Sequence, residues 1–304
     1  MNENPPATPA GTPEKKFVPP ANGEVITSLA TGNTYTIDDK IGEGSFGLVY
    51  ACQDVWGNDL AAKVLKPIGT YEKVRAAAEA EIQKLLTLRH PHITYVHDAF
   101  EFRDTFYIVT ERCFSPLTQL FGTEWFDGKR WLMPVARCML QALHYLHLNQ
   151  YAHQDIHPGN VFAAFSRNEM NPKEPGGIQF KIGDLGVSKV FGAIDATNTL
   201  ANWMRPPEAL EPKEFGPMDY RIDIYHAGLL LLQLACSKEL KFTPEEILAG
   251  KPRELALQLP APWGFALEKA LRRRVPHRTA SALELWRDLN SEVTQTGVST
   301  SCAA

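Results

Sequence analysis

A loop that places two polar side chains five residues apart, Asp155 and Asn160, most constrains what this chain can fold into. The loop spans residues 153–160 and follows residues 130–149, in which apolar residues recur at helical spacing. In a loop after an apolar helix, Asp and Asn most often cap or turn the backbone. The same pair at this spacing also suits phosphoryl transfer, in which a carboxylate orients a hydroxyl group and an amide holds a metal ion.

Three further motifs flank this loop. Residues 41–49 form a glycine-rich segment, and Lys63 follows it within an apolar stretch. Downstream, Asp184 lies between two glycines, and residues 206–208 are Pro-Pro-Glu. A single glycine-rich motif is weak support for any function, whereas the whole set in this order is highly specific.

The glycine-rich segment alone has two interpretations. A Gly-x-Gly-x-x-Gly motif can open a dinucleotide site, but that site needs a helix directly after the third glycine. Residues 48–52 follow Gly47 and have the pattern of a strand, which favours two strands that fold over a triphosphate. Lys63 lies among small and β-branched residues, where a buried ammonium group needs an acidic partner. We expect that partner to be Glu81, with Glu79 as the alternative.

Asp184 follows a predicted strand at residues 179–182. Its glycine neighbours let the carboxylate turn toward a metal ion without crowding from β-carbons. A simple turn that contains an Asp is the alternative, but it would not explain why Asp184 comes after Asn160 with one strand pair between them.

The sequence divides into two lobes with a tail at each end. Residues 1–24 are rich in proline and poor in large apolar residues, so we expect a flexible tail, and a second one at 291–304. Residues 25–111 form the predicted first lobe, and residues 112–290 form a second, mostly helical lobe. Three strands are expected within residues 35–65 and two more at 95–102 and 106–110, with helices at 71–88, 130–149, 221–236, 262–273 and 280–289.

Together the motifs make residues 35–289 resemble a eukaryotic-like (Hanks-type) Ser/Thr protein kinase. The resemblance implies an α+β, bilobal protein kinase-like fold: a small antiparallel β lobe with one helix, a larger, mainly helical lobe, and ATP between them. It also implies a protein substrate, with ATP and Mg²⁺ as the cofactors.

The resemblance assigns a role to each motif residue. Asp155 would act as the catalytic base, and Asn160 and Asp184 would bind Mg²⁺. Lys63, held by Glu81, would bind the α- and β-phosphates. The remaining nucleotide contacts would come from Ile41, Gly42, Gly44, Ser45, Gly47, Val49, Ala61, Thr110, Glu111, Cys113 and Phe162.

Outside the nucleotide site, the resemblance pairs Glu208 with Arg278 and makes Asp223 the anchor of the helix beneath the catalytic loop. The segment between Asp184 and Glu208 has the length needed to dock a peptide. The hydroxyl groups available for phosphorylation in this segment are those of Ser188, Thr197 and Thr199.

Two departures from the kinase pattern bear on function. Gln154 stands where an arginine usually receives a phosphate of the docking segment, so phosphorylation there should have little effect. His157 stands where Ser/Thr kinases have a lysine, so we count it as catalytic; a histidine that only caps the loop is the alternative. Residues 157–160 also resemble the loop of aminoglycoside and choline phosphotransferases. A small-molecule phosphotransferase is therefore a second hypothesis, and a nucleotide-binding pseudokinase scaffold is a third.

Composition limits the partners. A formal net charge of −4 with 22 % charged residues provides no polycation for nucleic acid. The most apolar stretch, residues 227–235, is too short to span a bilayer, so no membrane contact is expected. The five cysteines have neither metal-ligand nor paired spacing, which favours a reducing, cytoplasmic setting. Because no regulatory domain is recognisable, we expect another protein to target this chain.

Overall fold

The computed structural model describes residues 18–44, 47–66, 70–166, 176–185, 188–194 and 204–291. They form two compact units. The first holds the described residues up to Leu86 together with Val96–Arg112, and the second holds Thr87–Tyr95 and the described residues from Cys113 onward. The first unit is an antiparallel sheet with one helix and the second is mainly helical, so the predicted α+β class is confirmed. Residues 1–17 and 292–304, assigned to the tails, lie outside the described residues.

The described part of the first unit consists of β1 (Val25–Thr27), β2 (Thr34–Glu43), β3 (Gly47–Asp54), β4 (Asp59–Leu65), α1 (Tyr71–Thr87), β5 (Val96–Phe102) and β6 (Thr105–Glu111). The strand order is β1-β2-β3-β4-β6-β5, and all neighbours are antiparallel. Strands β2, β3 and β4 are the three predicted within residues 35–65. The sequence did not predict β1, because three residues are too few to show a period.

Side chains join the β1–β2 hairpin to β5. Tyr35 stacks on Phe100, with ring centroids 5.8 Å apart. The buried carboxylate of Asp98 accepts hydrogen bonds from the hydroxyl groups of Thr31 (2.7 Å) and Tyr35 (3.0 Å). Burial, together with this carboxylate, raises the pKa of Tyr35. The hairpin is therefore part of the core of the first unit and not an appendage.

Residues 22–24, which composition assigns to the N-terminal tail, are bonded to this unit. The Gly23 amide donates to the carbonyl oxygen of Ile37 (2.8 Å). Glu24 accepts a hydrogen bond from Arg103 in the β5–β6 turn (2.6 Å).

The second unit contains short strands and a set of helices. Its described strands are β7 (Ser115–Pro116), β8 (Tyr151–Ala152), β9 (Val161–Ser166), β10 (Gly177–Ile182) and β11 (Lys189–Val190), paired in the orders β10-β9-β7 and β11-β8. Its described helices are α2 (Leu117–Leu120), α3 (Gly128–Leu148), α4 (Pro207–Leu210), α5 (Pro212–Phe215), α6 (Ile222–Cys236), α7 (Pro244–Ala249), α8 (Lys251–Ala256), α9 (Trp263–Ala270) and α10 (Ala282–Leu289).

Helices α3 and α6 form the centre of the second unit. Asp127 caps α3 by accepting a hydrogen bond from the Lys129 amide. A β-carbon on Gly128 would collide with the carbonyl oxygen of Leu234 in α6, so a glycine is needed where the helices meet. Every residue of α6 from Ile222 to Ala235 is buried. Such a helix can hold the functional loops that pack on its first turns.

The segment Thr87–Tyr95 is bonded to β10. Thr94 donates its amide to Ile182 (2.9 Å), and Ile182 donates its own amide to His92 (2.9 Å). Across the described residues, no helix is both long and apolar enough to cross a membrane.

Candidate active site

The loop at residues 153–160 is anchored at its start by Asp223, in the first turn of α6. This fully buried carboxylate accepts hydrogen bonds from the amides of His153 (2.8 Å) and Gln154 (2.7 Å). The His147 ring donates a third bond, with Nε2 at 2.8 Å. Burial opposes ionisation of Asp223, but the bond from His147 and the other contacts hold its pKa below the usual value. An ionised carboxylate therefore fixes the start of the loop.

Gln154 is completely buried, with φ at +67°, in the left-handed region. A residue there other than glycine costs of order 1 kcal/mol and persists only where the surroundings hold it. The two amide bonds to Asp223 provide that hold.

Asp155 and Asn160 close the loop on each other. The amide nitrogen of Asn160 donates to the main-chain oxygen of Asp155 (2.9 Å) and to its Oδ2 (2.9 Å). This orientation directs the nitrogen of the amide at Asp155 and leaves Oδ1 of Asn160 as the group that could bind a metal ion. Burial opposes ionisation of Asp155, but the nearby His157 holds its pKa below the usual value. The carboxylate is therefore charged at neutral pH.

The His157 ring is fixed by its own loop. Nδ1 accepts a hydrogen bond from the Gly159 amide (3.0 Å), so in the neutral ring Nε2 carries the hydrogen. Nε2 lies 3.7 Å from Oδ2 of Asp155, an electrostatic contact longer than a hydrogen bond. A β-carbon on Gly159 would lie 2.6 Å from the ring, so a larger residue there would have to displace the His157 side chain. The ring thus both caps the loop and faces Asp155.

His153 and Gly183 position Asp184. Nε2 of His153 donates to the carbonyl oxygen of Gly183 (3.1 Å), and the Gly183 amide donates to that of Asn160 (2.9 Å). A β-carbon on Gly183 would lie 2.9 Å from the Phe162 ring, so a larger residue there would have to displace that ring. Asp184 follows with φ at +59°. The bond between the main chains of Gly183 and Asn160 therefore brings Asp184 near Asn160. Gly186, the second glycine expected beside Asp184, lies outside the described residues.

Asn160 and Asp184 fit Mg²⁺ by their donor chemistry, because this ion prefers oxygen ligands and is usually held by one or two protein groups plus phosphates. Among the described residues, no cluster of three or more His, Cys, Asp or Glu side chains could hold a metal ion on its own.

In the first unit, β2 and β3 form the glycine-rich turn. Gly42 pairs with Val49, and the Gly44 amide donates to the carbonyl oxygen of Gly47 (2.9 Å). A β-carbon on Gly47 would lie 2.6 Å from the carbonyl oxygen of Val64 in β4. Ser45 lies outside the described residues.

Lys63 lies half-buried in β4, paired with Val49 on β3 and with Ile108 on β6. Glu81 belongs to α1, but its side chain is outside the described part of the structure, so the Lys63–Glu81 ion pair stays a prediction. Glu79, the alternative partner, instead binds Arg75 at the surface, at 2.9 Å.

The sequence reasoning missed two lysines beside the glycine-rich turn. Lys66 Nζ lies 2.7 Å from one carboxylate oxygen of Glu43, and Lys40 Nζ lies 3.0 Å from the other. Their hydrogen bonds and charges lower the pKa of Glu43. The charge of the acidic residue at the turn is thus balanced by the two lysines. The signal was the Gly42-Glu43-Gly44 sequence, because a carboxylate in a turn that is expected to bind phosphate would need a counter-charge.

The expected site residues divide between the two units. The first unit carries Ile41, Gly42, Gly44, Gly47, Val49, Ala61, Lys63, Thr110 and Glu111. Within it, the Thr110 hydroxyl lies 3.5 Å from the carbonyl oxygen of Ala61, which links β6 to β4. The second unit carries Cys113, Asp155, His157, Asn160, Phe162 and Asp184.

The structure tests two expectations for the segment that ends at Glu208: the Glu208–Arg278 ion pair and the accessibility of Ser188. The Glu208–Arg278 ion pair is present, with two bonds of 2.6 and 2.8 Å between fully buried side chains. The expectation that the Ser188 hydroxyl group is available for phosphorylation is wrong for this conformation. Ser188 is buried, and its Oγ lies 3.4 Å from the carbonyl oxygen of His153. Thr197 and Thr199 lie outside the described residues.

Comparison with known proteins agrees with this geometry. The model of the protein kinase domain family matches residues 35–262, and the chain belongs to that family. It is 29 % identical over 206 residues to serine/threonine-protein kinase 36 of Pongo abelii, covering 66 % of this chain and 14 % of that protein. It is 28 % identical over 211 residues to cyclin-dependent kinase D-1 of Arabidopsis thaliana, covering 66 % and 48 %. It is equally similar to serine/threonine-protein kinase KIN28 of Saccharomyces cerevisiae, covering 66 % and 63 %. The aligned chain thus spans less than two thirds of each of these relatives.

Proposed function

We propose that this chain is an ATP-dependent protein kinase that transfers the γ-phosphate to Ser or Thr hydroxyl groups of proteins. The observation that supports this most is the pairing of Asp155 with Asn160, because it combines an ionised carboxylate with an amide whose oxygen can face a metal ion. The match to the protein kinase domain family favours a protein acceptor over a small molecule.

In this proposal Asp155 accepts a hydrogen bond from the attacking hydroxyl group and orients it. Asn160 and Asp184 would hold Mg²⁺, which would neutralise charge on the transferred phosphate. Lys63, paired with Glu81, holds the α- and β-phosphates, and the amides of residues 42–47 cover the β- and γ-phosphates. The adenine contacts are those assigned to Val49, Ala61, Thr110, Glu111, Cys113 and Phe162.

The preference for Ser and Thr rests on the Pro158–Gly159–Asn160 end of the loop and on the relatives named as serine/threonine-protein kinases. We also propose that a second protein directs the chain to its substrate and that the chain acts in the cytoplasm.

The first prediction tests transfer directly. The purified chain with Mg·ATP labelled at the γ-phosphate should label itself or casein, a generic protein acceptor. Asp155→Asn, Asp184→Ala and Lys63→Met should each lower the rate by at least ~10²-fold, the scale for loss of a preorganised charged group. Asp288→Asn is the matched control, because Asp288 binds Lys269 away from the proposed site and its loss should leave the rate nearly unchanged.

Acid hydrolysis of the labelled acceptor would identify phosphoserine, phosphothreonine or phosphotyrosine. Full activity of Asp184→Ala would overturn the kinase mechanism. Label transferred to choline or an aminoglycoside but to no protein would support the small-molecule alternative. Thermal stabilisation by Mg·ATP without any transfer would support a pseudokinase.

A further inference from the structure

A histidine that the proposed chemistry does not use lies in the middle of the second unit. His226 is in the second turn of α6 and is fully buried. Its Nε2 lies 2.9 Å from the carbonyl oxygen of Met204. A carbonyl oxygen only accepts, so Nε2 carries the hydrogen and donates it. Nδ1 has no hydrogen-bond partner among the described residues, so the surroundings use this ring as a single donor.

Met204 lies two residues before Pro206-Pro207-Glu208. Its side chain is buried. The segment from Met204 to Glu208 has a second attachment, because Glu208 binds Arg278, whose Nη1 also donates to the carbonyl oxygen of Arg221 (3.1 Å). Arg221 precedes α6, so α6 fixes this segment at one end through His226 and at the other through Arg278.

The same face of α6 holds the catalytic loop. Asp223 precedes His226 by three residues, a spacing that puts the two side chains on neighbouring positions of one helix face. Asp223 binds the amides of His153 and Gln154, directly before Asp155. One turn of one helix therefore sets the position of both Asp155 and Met204.

We propose that His226 is a positioning residue, whose bond to Met204 sets the place of residues 204–208, the end of the proposed substrate-docking segment, relative to Asp155. The inference rests on the proposed function, since it assumes that the segment ending at Glu208 receives a protein substrate. Without the bond, the carbonyl oxygen of Met204 is left buried and unpaired, a state that favours release of the segment.

Release of the segment has a distinct kinetic signature. If only a fraction of molecules holds the docking-competent segment, the apparent affinity for the protein acceptor falls by that fraction. The acceptor KM should then rise, while the KM for ATP and the rate at saturating acceptor change little.

Two substitutions separate the hydrogen bond from the volume of the ring. His226→Gln places an amide nitrogen near the position of Nε2 and keeps the donor, whereas His226→Met fills similar space without one. We expect His226→Met to raise the KM for casein roughly tenfold, the scale for a buried acceptor left unpaired. His226→Gln should stay within about threefold of the wild type, a fraction of the same effect.

Gln233→Leu is the matched control, because buried Gln233 lies in the same helix and accepts one bond from the Leu240 amide (3.3 Å). It should lower thermal stability without changing the KM for casein. A direct readout is amide hydrogen exchange in peptides that cover residues 204–211 of the full chain. Exchange there should be faster in His226→Met and close to wild type in His226→Gln.

The inference would be overturned if His226→Met had the same KM for casein and the same hydrogen exchange in residues 204–211 as the wild type. It would also be overturned if His226→Gln were as impaired as His226→Met. If the wild type phosphorylates no protein, the proposed function fails. Hydrogen exchange then still decides whether His226 fixes Met204.

Discussion

Two glycines of the glycine-rich turn have different reasons to be glycine. A β-carbon on Gly47 would lie 2.6 Å from a main-chain oxygen of the neighbouring strand, whereas one on Gly44 would meet nothing within 4 Å. Packing therefore requires glycine at position 47 but not at position 44. For Gly44, close approach of a phosphate to the backbone is the reason that the proposed function offers.

Alanine at position 47 should therefore affect mainly the free energy of unfolding, and alanine at position 44 should affect mainly the KM for ATP. Gly47→Ala should lower the free energy of unfolding by roughly 1–3 kcal/mol, the usual cost of forcing extra volume into packed structure. Gly44→Ala should stay within about 0.5 kcal/mol of the wild type, as open positions do, yet raise the KM for ATP. Urea unfolding and ATP titration measure the two effects. Equal destabilisation by both variants would contradict this division.

Among the secondary-structure elements, the β1–β2 hairpin is held on β5 in part by one buried carboxylate. Asp98 on β5 accepts bonds from Thr31 in the hairpin turn and from Tyr35 at the start of β2. It also accepts a bond from the Ala99 amide (2.8 Å). Strand β1 has only three residues, and its Ile26 belongs to the core of this unit. Because β1 pairs with β2, the bonds of Asp98 to Thr31 and Tyr35 help to hold β1 in place.

Asp98→Ala should lower the free energy of unfolding by roughly 1–3 kcal/mol, because the Tyr35 hydroxyl group would be left buried without its acceptor. Hydrogen exchange of the β1 amides should accelerate more than exchange in β4. Asp59→Ala is the control, since the exposed Asp59 carboxylate binds only the Gln53 side chain among the described contacts. If both variants unfold at the same urea concentration, Asp98 does not close the hairpin.

At the scale of the whole molecule, buried histidines make stability depend on pH. Loss of solvent around the ring lowers the pKa of His226, which is fully buried, and of His90 and His92, which are partly buried. Below the ordinary value of 6.5 the unfolded chain binds more protons than the folded chain. The free energy of unfolding must then fall as pH drops from 6.5 toward the lowered pKa values.

We therefore expect the urea midpoint to be lower at pH 5 than at pH 7. Carboxylates with lowered pKa values, among them Asp155 and Asp223, add their own loss of stability only below their ordinary value of 3.8. Removing the titrating ring in His226→Gln should reduce the dependence between pH 5 and 7, while His90 and His92 maintain the rest of it. A midpoint that does not change with pH in that range would contradict the prediction.

The short motifs were predictable because their chemistry lies within a few residues. Asp155 and Asn160 belong to one loop, so their spacing alone placed the carboxylate beside the amide. The long helices α3 and α6 and the strands β2 to β6 were predictable because apolar periodicity over many residues reflects which face is buried. For the same reason β1 and the two-residue strands were not predicted.

Other features depended on contacts between distant parts of the chain. His147 meets Asp223 across 76 positions, and His226 meets Met204 across 22. No local pattern marks either histidine, because a buried imidazole and an exposed one have the same sequence signature. Likewise, only the packing against His153 removes Ser188 from the accessible hydroxyl groups. The amino-acid sequence alone was enough to predict the family and the longer helices and strands, because both are encoded in contiguous segments. The phosphate-handling roles assigned to single residues stay predictions. Tertiary structure alone decided which polar groups are buried and paired, because burial depends on the elements that pack around a residue.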